Sequence, residues 1–296
     1  MPCSCWMSNS AGKHRKTTNS LVLFGPSLAH THYFPHSIQT QVRTAKELEG
    51  LDGIVLPGGE STAMGLIGTG TGGGFNIWDA LKAFSSEKPT WGTCAGMILL
   101  ADKCVGASAV IENGQSLIGG LDVLVCRNYF GSQISSFEMA TPPPPGDDTS
   151  SYPGVYIRAP AILTAGPGIQ VLGKVVATPH SQAAVVLAEL EKKIAAGEKV
   201  NMMSVPDALV RNGPGGIHFK DSRKTDSESE EKKDIAMDEE CIELPGAADG
   251  STAREVICAC RSGHILCTAF HPELTSDYRW HAYFAAMVKE SMKTSL

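Results

Sequence analysis

The chain has 296 residues, of which 42% are hydrophobic and 19% charged, and its formal net charge is −6. That is enough apolar material for one large domain or two ordinary ones, and no stretch reaches the roughly 18 consecutive apolar residues that a membrane span needs. Ten acidic and four basic residues between Asp221 and Glu243 account for the whole net charge, so no basic surface for nucleic acid is indicated, and the segment reads as a solvated insertion. Nine cysteines, an odd number spread thinly, fit free thiols in a reducing compartment better than a disulfide framework. With no apolar leader run in the first twenty residues, a cytoplasmic protein is expected.

From Ser20 the pattern alternates strands with helices, which predicts an α/β fold with a mostly parallel open sheet covered by helices on both faces. Leu21 to Phe24 and Gly53 to Pro57 read as buried strands, Phe75 to Phe84 as a helix, and Ala95 to Ala101 as a buried helix. Leu121 to Cys126, Gly154 to Arg158 and Ile169 to Val176 are further strands, with the run of prolines from Pro142 to Pro145 as a loop. The last strand is Ile265 to Phe270, and Asp277 to Lys289 closes the chain as an amphipathic helix. Between Thr178 and Arg254 the alternation fails. Gln182 to Ala196 can form a helix there, but 212–251 is polar and charged, so 178–254 reads as an insertion in a single domain over 20–292, preceded by an unstructured extension over 1–19.

The strongest local signal is Gly92-Thr93-Cys94-Ala95-Gly96, placed between a strand and a helix. A nucleophile on so sharp a turn needs small neighbours, because side chains on either side would collide with adjacent strands. The helix that follows offers a backbone N–H to a developing oxyanion. The alternative is a buried cysteine at a tight glycine turn.

Phe270-His271-Pro272-Glu273 ends the last strand. A thiol nucleophile wants an imidazole to take its proton, and the imidazole wants a carboxylate to fix its tautomer; residues two apart on extended chain face the same side. The alternative is that Pro272 and Glu273 simply open the terminal helix. Leu56-Pro57-Gly58-Gly59-Glu60-Ser61-Thr62 is the third element, leaving backbone N–H groups free beside polar side chains at a sheet edge; here the alternative is a turn with Ser61 or Thr62 capping a helix. The glycine-rich 68–74 stretch follows no strand and reads as a loop rather than a dinucleotide site, and Cys258-Ala259-Cys260 and Cys3-Ser4-Cys5 lack metal-ligand spacing and receive no role.

Together these elements resemble the class I glutamine amidotransferases. With Arg127-Asn128-Tyr129-Phe130-Gly131-Ser132-Gln133, Ser136-Phe137, Ile157-Arg158-Ala159-Pro160 and Phe270 to Leu274 added, the chain is similar to the glutaminase subunits of pyridoxal 5′-phosphate synthase over roughly 20–176 and 255–289. The resemblance implies a flavodoxin-like three-layer architecture and hydrolysis of L-glutamine to glutamate and ammonia, the ammonia passing to a separate synthase subunit that makes pyridoxal 5′-phosphate. Cys94 would be the nucleophile, His271 the proton shuttle and Glu273 its orienting carboxylate. Backbone N–H groups of Gly59 and Ala95 would form the oxyanion hole, and Gly59, Glu60, Ser61, Arg127, Ile157 and Arg158 would line the glutamine pocket.

No metal and no organic cofactor is expected for this half-reaction. The expected partners are L-glutamine and the synthase, in a heteromeric complex, with neither nucleic acid nor membrane. Leu23-Phe24-Gly25-Pro26 stands where the family's first strand runs into Leu-Gln-Gly, a difference that bears on activation by the partner. Two other readings compete: a regulatory protein on an amidotransferase scaffold, favoured by Phe24, and a glutaminase serving a different synthase, disfavoured by the block from Arg127 to Gln133.

Overall fold

In chain order, the strands and helices that position the candidate site begin with β1 (Cys5–Trp6) and β2 (Gln41–Val42), an antiparallel ribbon. Then follow β3 (Ile54–Leu56), α1 (Ser61–Gly68), α2 (Trp78–Glu87), β4 (Thr90–Thr93), α3 (Ala95–Leu100), β5 (Ala101–Val105) and β6 (Leu121–Cys126). After them come β7 (Ser136–Thr141), β8 (Tyr152–Ile157), β9 (Ala161–Ala165), β10 (Gln170–Ala177), α4 (Ser181–Ala195), β11 (Met203–Ser204), β12 (Arg254–Ser262), β13 (Ile265–Thr268) and α5 (Arg279–Thr294). The structure is a computed structural model that describes residues 5–6, 41–70, 76–106, 116–131, 136–147, 150–196, 203–204, 244–246 and 252–294. The expected strand at Leu21 to Phe24, the substitution at Phe24, Ser132, Gln133 and the acidic segment lie outside the described residues, as does nearly all of the N-terminal extension.

The α/β architecture is present. The sheet runs β11-β5-β6-β9-β12-β13-β4-β3, with β10 also paired to β12. Its pairing is mixed: β3, β4 and β13 are parallel to one another, as are β5 and β6, whereas β9, β10, β11 and β12 make antiparallel pairs. The three parallel strands are short and fully buried, the signature of strands covered on both faces. Side chains alternate along β4 to make those two faces. Trp91 turns toward α5, where it meets His281 edge-on at 5.3 Å and Phe284 at 5.5 Å. Gly92 turns the other way, where a β-carbon would lie 2.6 Å from the Gly96 backbone of α3. Helices therefore cover opposite sides of β4.

The expected strand at Leu121 to Cys126 is β6 residue for residue, and β8, β10, β13, α4 and α5 fall within a few residues of their expected spans. Within the 178–254 stretch, α4 turns Ala183, Leu187 and Leu190 into the main core, and Glu191 pairs with Arg254 at 2.6 Å. Sequence pattern missed β5, β7, β9 and β12. β7 pairs only with β8 and exposes Ser136, Phe137 and Glu138, so it carries no buried run to read. β12 does carry one: Val256 to Cys260 are all buried, and Cys258 and Cys260 are core residues of the strand that joins the two halves of the sheet. Among the described residues, no helix is long and apolar enough to cross a membrane.

Candidate active site

Cys94 stands between the end of β4 and the start of α3 with φ 47° and ψ −103°, a conformation that side chains other than glycine rarely adopt. The neighbours hold it there. The Cys94 N–H donates to the Thr268 carbonyl of β13 at 2.9 Å, and the Gly96 N–H donates to the Pro57 carbonyl at 3.0 Å. The two glycines flanking Cys94 are steric requirements: a β-carbon on Gly96 would stand 2.1 Å from the Leu56 carbonyl oxygen, and one on Gly92 would collide with Gly96. Each glycine lets α3 approach the strands closely enough to aim the turn.

His271 follows β13 and is buried. Its N–H donates to the Val155 carbonyl of β8 at 2.8 Å, and its Nδ1 hydrogen-bonds Glu273 Oε1 at 2.7 Å. Glu273 lies in a single 3-10 turn, Pro272–Leu274, that precedes α5 rather than opening it. Nε2 is buried, and among the described residues no hydrogen bond of good geometry is formed to it. Burial pulls the imidazole's pKa down, but the nearby thiol of Cys94 and the carboxylate of Glu273 outweigh it and raise the pKa to about 10. Gly58 makes room for this ring: a β-carbon there would fall 2.2 Å from Cε1.

The turn after β3 brings the other candidates to the same sheet edge. Gly59 has φ +154°, and neither its N–H nor that of Ala95 is taken by another backbone carbonyl among the described residues. Glu60, not Ser61 or Thr62, caps α1: its carboxylate accepts from the Thr62 N–H at 3.2 Å and the Ala63 N–H at 2.7 Å. Arg127, after β6, reaches into this cap. Its Nη2 donates to Thr62 Oγ1 at 3.0 Å and lies 3.7 Å from Glu60 Oε1, while Nη1 is buried with no partner among the described residues. Burial lowers the guanidinium's pKa, with the Glu60 charge opposing that shift.

Ile157 offers its carbonyl to the Cys94 thiol at 3.9 Å. Arg158 follows with φ 48°, and Asn128 beside Arg127 has φ 54°; with Cys94 these are the only non-glycine residues of positive φ among the described residues. All three belong to the motifs singled out in the sequence. Ser61 is buried at the first turn of α1. Cys94, His271, Glu273 and Ile157 thus converge, with Glu60 and Arg127 linked to each other nearby, while Arg158 forms no hydrogen bond or ion pair with them among the described residues. Sequence reasoning gave Gly58 and Thr268 no individual role. Thr62 was considered only as a cap, whereas its hydroxyl holds Arg127.

Residues 20–200 match the SNO glutamine amidotransferase family. The chain is 35% identical over 257 residues to "Probable pyridoxal 5'-phosphate synthase subunit PDX2" of Arabidopsis thaliana, covering 84% of this chain and 76% of that protein. It is 33% identical over 248 residues to "Pyridoxal 5'-phosphate synthase subunit PdxT" of Acidothermus cellulolyticus, covering 83% and 80%. The crystal structure of a glutamine amidotransferase superposes with a TM-score of 0.51 at 25% identity, covering 88% of this chain and 93% of that one.

Proposed function

The chain belongs to the SNO glutamine amidotransferase family, and on that premise we propose that it is the glutaminase subunit of a pyridoxal 5′-phosphate synthase, hydrolysing L-glutamine through Cys94, His271 and Glu273. The observation that carries the site assignment is the 2.7 Å bond between Glu273 and His271 Nδ1 in a buried imidazole whose pKa is raised by Cys94 as well as by Glu273. His271, whose raised pKa keeps the imidazole protonated at neutral pH, holds the proton taken from the thiol while sulfur attacks the side-chain amide carbon of glutamine. A thioester forms through a tetrahedral oxyanion held by the backbone N–H groups of Gly59 and Ala95. The C–N bond then breaks, and His271 returns its proton to the departing ammonia. Water, giving a proton to the same imidazole, then attacks the thioester carbon; the C–S bond breaks, glutamate leaves, and the imidazole and sulfur share the proton as before. Glu273 orients the ring through Nδ1 and stabilises the imidazolium.

Arg127, with Glu60, Ser61, Ile157 and Arg158, forms the glutamine pocket. A buried guanidinium with an unused donor is suited to an amino-acid carboxylate. The partner is the synthase subunit that receives the ammonia, so the working enzyme is a heteromeric complex, and residues 20–292 form one glutaminase domain.

Glutamate release from L-glutamine tests this reading, measured for wild type and Cys94→Ala, each with and without a pyridoxal 5′-phosphate synthase subunit. Activity that rises with the synthase and disappears in Cys94→Ala is the expected result. A wild type that binds the synthase and stays inactive would overturn it.

A further inference from the structure

We propose that Tyr152 is a positioning residue for the glutaminase reaction: its phenol hydroxyl registers the turn carrying His271 and Glu273 against the strand that flanks Cys94. The inference rests on the reading of Cys94, His271 and Glu273 given above.

β8 meets the candidate site at three levels. At its start, the Tyr152 hydroxyl shares a hydrogen bond with Thr275 Oγ1 at 3.1 Å and reaches the Asp277 carbonyl at 3.3 Å. Three residues on, the Val155 carbonyl accepts the His271 N–H at 2.8 Å. At its end, the Ile157 carbonyl lies 3.9 Å from the Cys94 sulfur. One strand of six residues, on the order of 20 Å long, therefore touches the nucleophile, the imidazole and the turn behind the carboxylate.

The Tyr152 contact is braced from both sides. Its ring is fully buried against Phe270, the residue before His271, at 5.3 Å, and meets Trp280 at the start of α5 edge-on at 6.5 Å. Arg279 grips Asp277 through Nε and Nη2, at 3.0 and 2.6 Å. The same guanidinium donates to the carbonyls of Ser150 and Ser151 at 2.8 and 2.9 Å, the two residues that lead into β8. Chain entering β8 and chain leaving Glu273 are thus tied at one point, and Thr275 is the link nearest the carboxylate.

Ring and hydroxyl divide the work. The ring fills the core and survives replacement by phenylalanine. Only the hydroxyl bonds the 275–277 turn, and proton transfer between Cys94 and His271 depends on sub-ångström alignment that this bond maintains.

The test uses the full-length chain with a synthase subunit, assaying L-glutamine hydrolysis by wild type, Cys94→Ala, Tyr152→Phe, Thr275→Val and the double variant, with folding followed by thermal unfolding and near-ultraviolet circular dichroism. Tyr152→Phe is expected to lower kcat by roughly tenfold or more while KM for glutamine stays as in wild type. Thr275→Val, which also removes the bonds of its hydroxyl to the Asp277 N–H and carbonyl at 3.1 and 3.3 Å, is expected to lower kcat too, and the double variant to lose less than the product of the two single losses, because the Tyr152–Thr275 bond is removed by both. An active wild type alongside a folded Tyr152→Phe of unchanged kcat, or losses that multiply in the double variant, would overturn the positioning role alone. A wild type without glutaminase activity would overturn the reading on which it rests.

Discussion

The His271 imidazole lies against Gly58 so closely that a β-carbon at residue 58 would stand 2.2 Å from Cε1 and 2.8 Å from Nδ1. Gly58 does not have a positive φ, so an alanine there meets no backbone penalty and acts on the ring alone. The ring must shift, and the shift stretches its 2.7 Å bond to Glu273. Gly58→Ala is therefore expected to lower kcat for glutamine by about 10- to 100-fold, since misplacement of about 1 Å can have that effect. Thermal unfolding should remain close to wild type; a variant with full kcat would show that the imidazole tolerates displacement.

The proton on His271 also sets a pH dependence of stability. Its pKa is raised in the folded chain from the ordinary 6.5 to about 10, so the native state holds this proton more tightly than the unfolded chain does. The stabilisation is fully present below about pH 6.5 and is lost as pH climbs through about 10. Glu273→Gln removes one of the charges that raise it. The expected outcome is a wild-type unfolding free energy that declines between those pH values and a shallower decline in Glu273→Gln, measured by denaturant titration at several pH values. Identical slopes in the two proteins would show that Glu273 does not hold the proton. The same variant should lose most of its glutaminase rate.

The candidate site was more legible in the sequence than the sheet that carries it. Cys94, His271 and Glu273 are marked by local chemistry: glycines where a turn is strained, and a carboxylate two residues from an imidazole. Such signals survive without knowledge of the neighbours. β12 was not legible by alternation because it is buried on both faces and reads as an unbroken apolar run between a charged segment and a turn. Gly58 and Thr62 were seen only as parts of a turn. What Gly58 accommodates is a ring more than 200 residues away in sequence, and what Thr62 holds is a guanidinium 65 residues on; neither contact has a local sequence signature.

Thr62 supplies the next expectation. Its hydroxyl accepts from Arg127 Nη2 at 3.0 Å in a buried setting, and Nη1 already has no partner among the described residues. Thr62→Val keeps the shape of the side chain and removes the acceptor. A hydrogen bond to a charged group is worth about 1.5 kcal/mol or more, which corresponds to roughly tenfold in affinity. KM for L-glutamine is expected to rise by about that factor with kcat retained, because the proposed pocket gives Arg127 a substrate-binding role and no part in bond making. A fall in kcat at constant KM would instead assign Arg127 to the chemical steps.

The last expectation concerns which thiol reacts. Burial pushes the thiols of Cys126, Cys258 and Cys260 up to about 12, and that of Cys267 well above its ordinary value, so these side chains stay protonated and inert at neutral pH. Cys104 is fully buried as well. Cys94 differs in kind: it sits on a strained turn beside an imidazole that can take its proton. A glutamine-shaped electrophile, such as a chloroketone analogue of the amino acid, should therefore modify Cys94 and leave those five core cysteines unlabelled, as read by peptide mass mapping. Excess L-glutamine should slow the reaction by competing for the pocket, and Glu273→Gln should slow it by weakening His271 as a proton acceptor. Labelling of another of these cysteines ahead of Cys94 would mean that the thiol at the turn is no more reactive than the rest, and the assignment of Cys94 as nucleophile would fall with it.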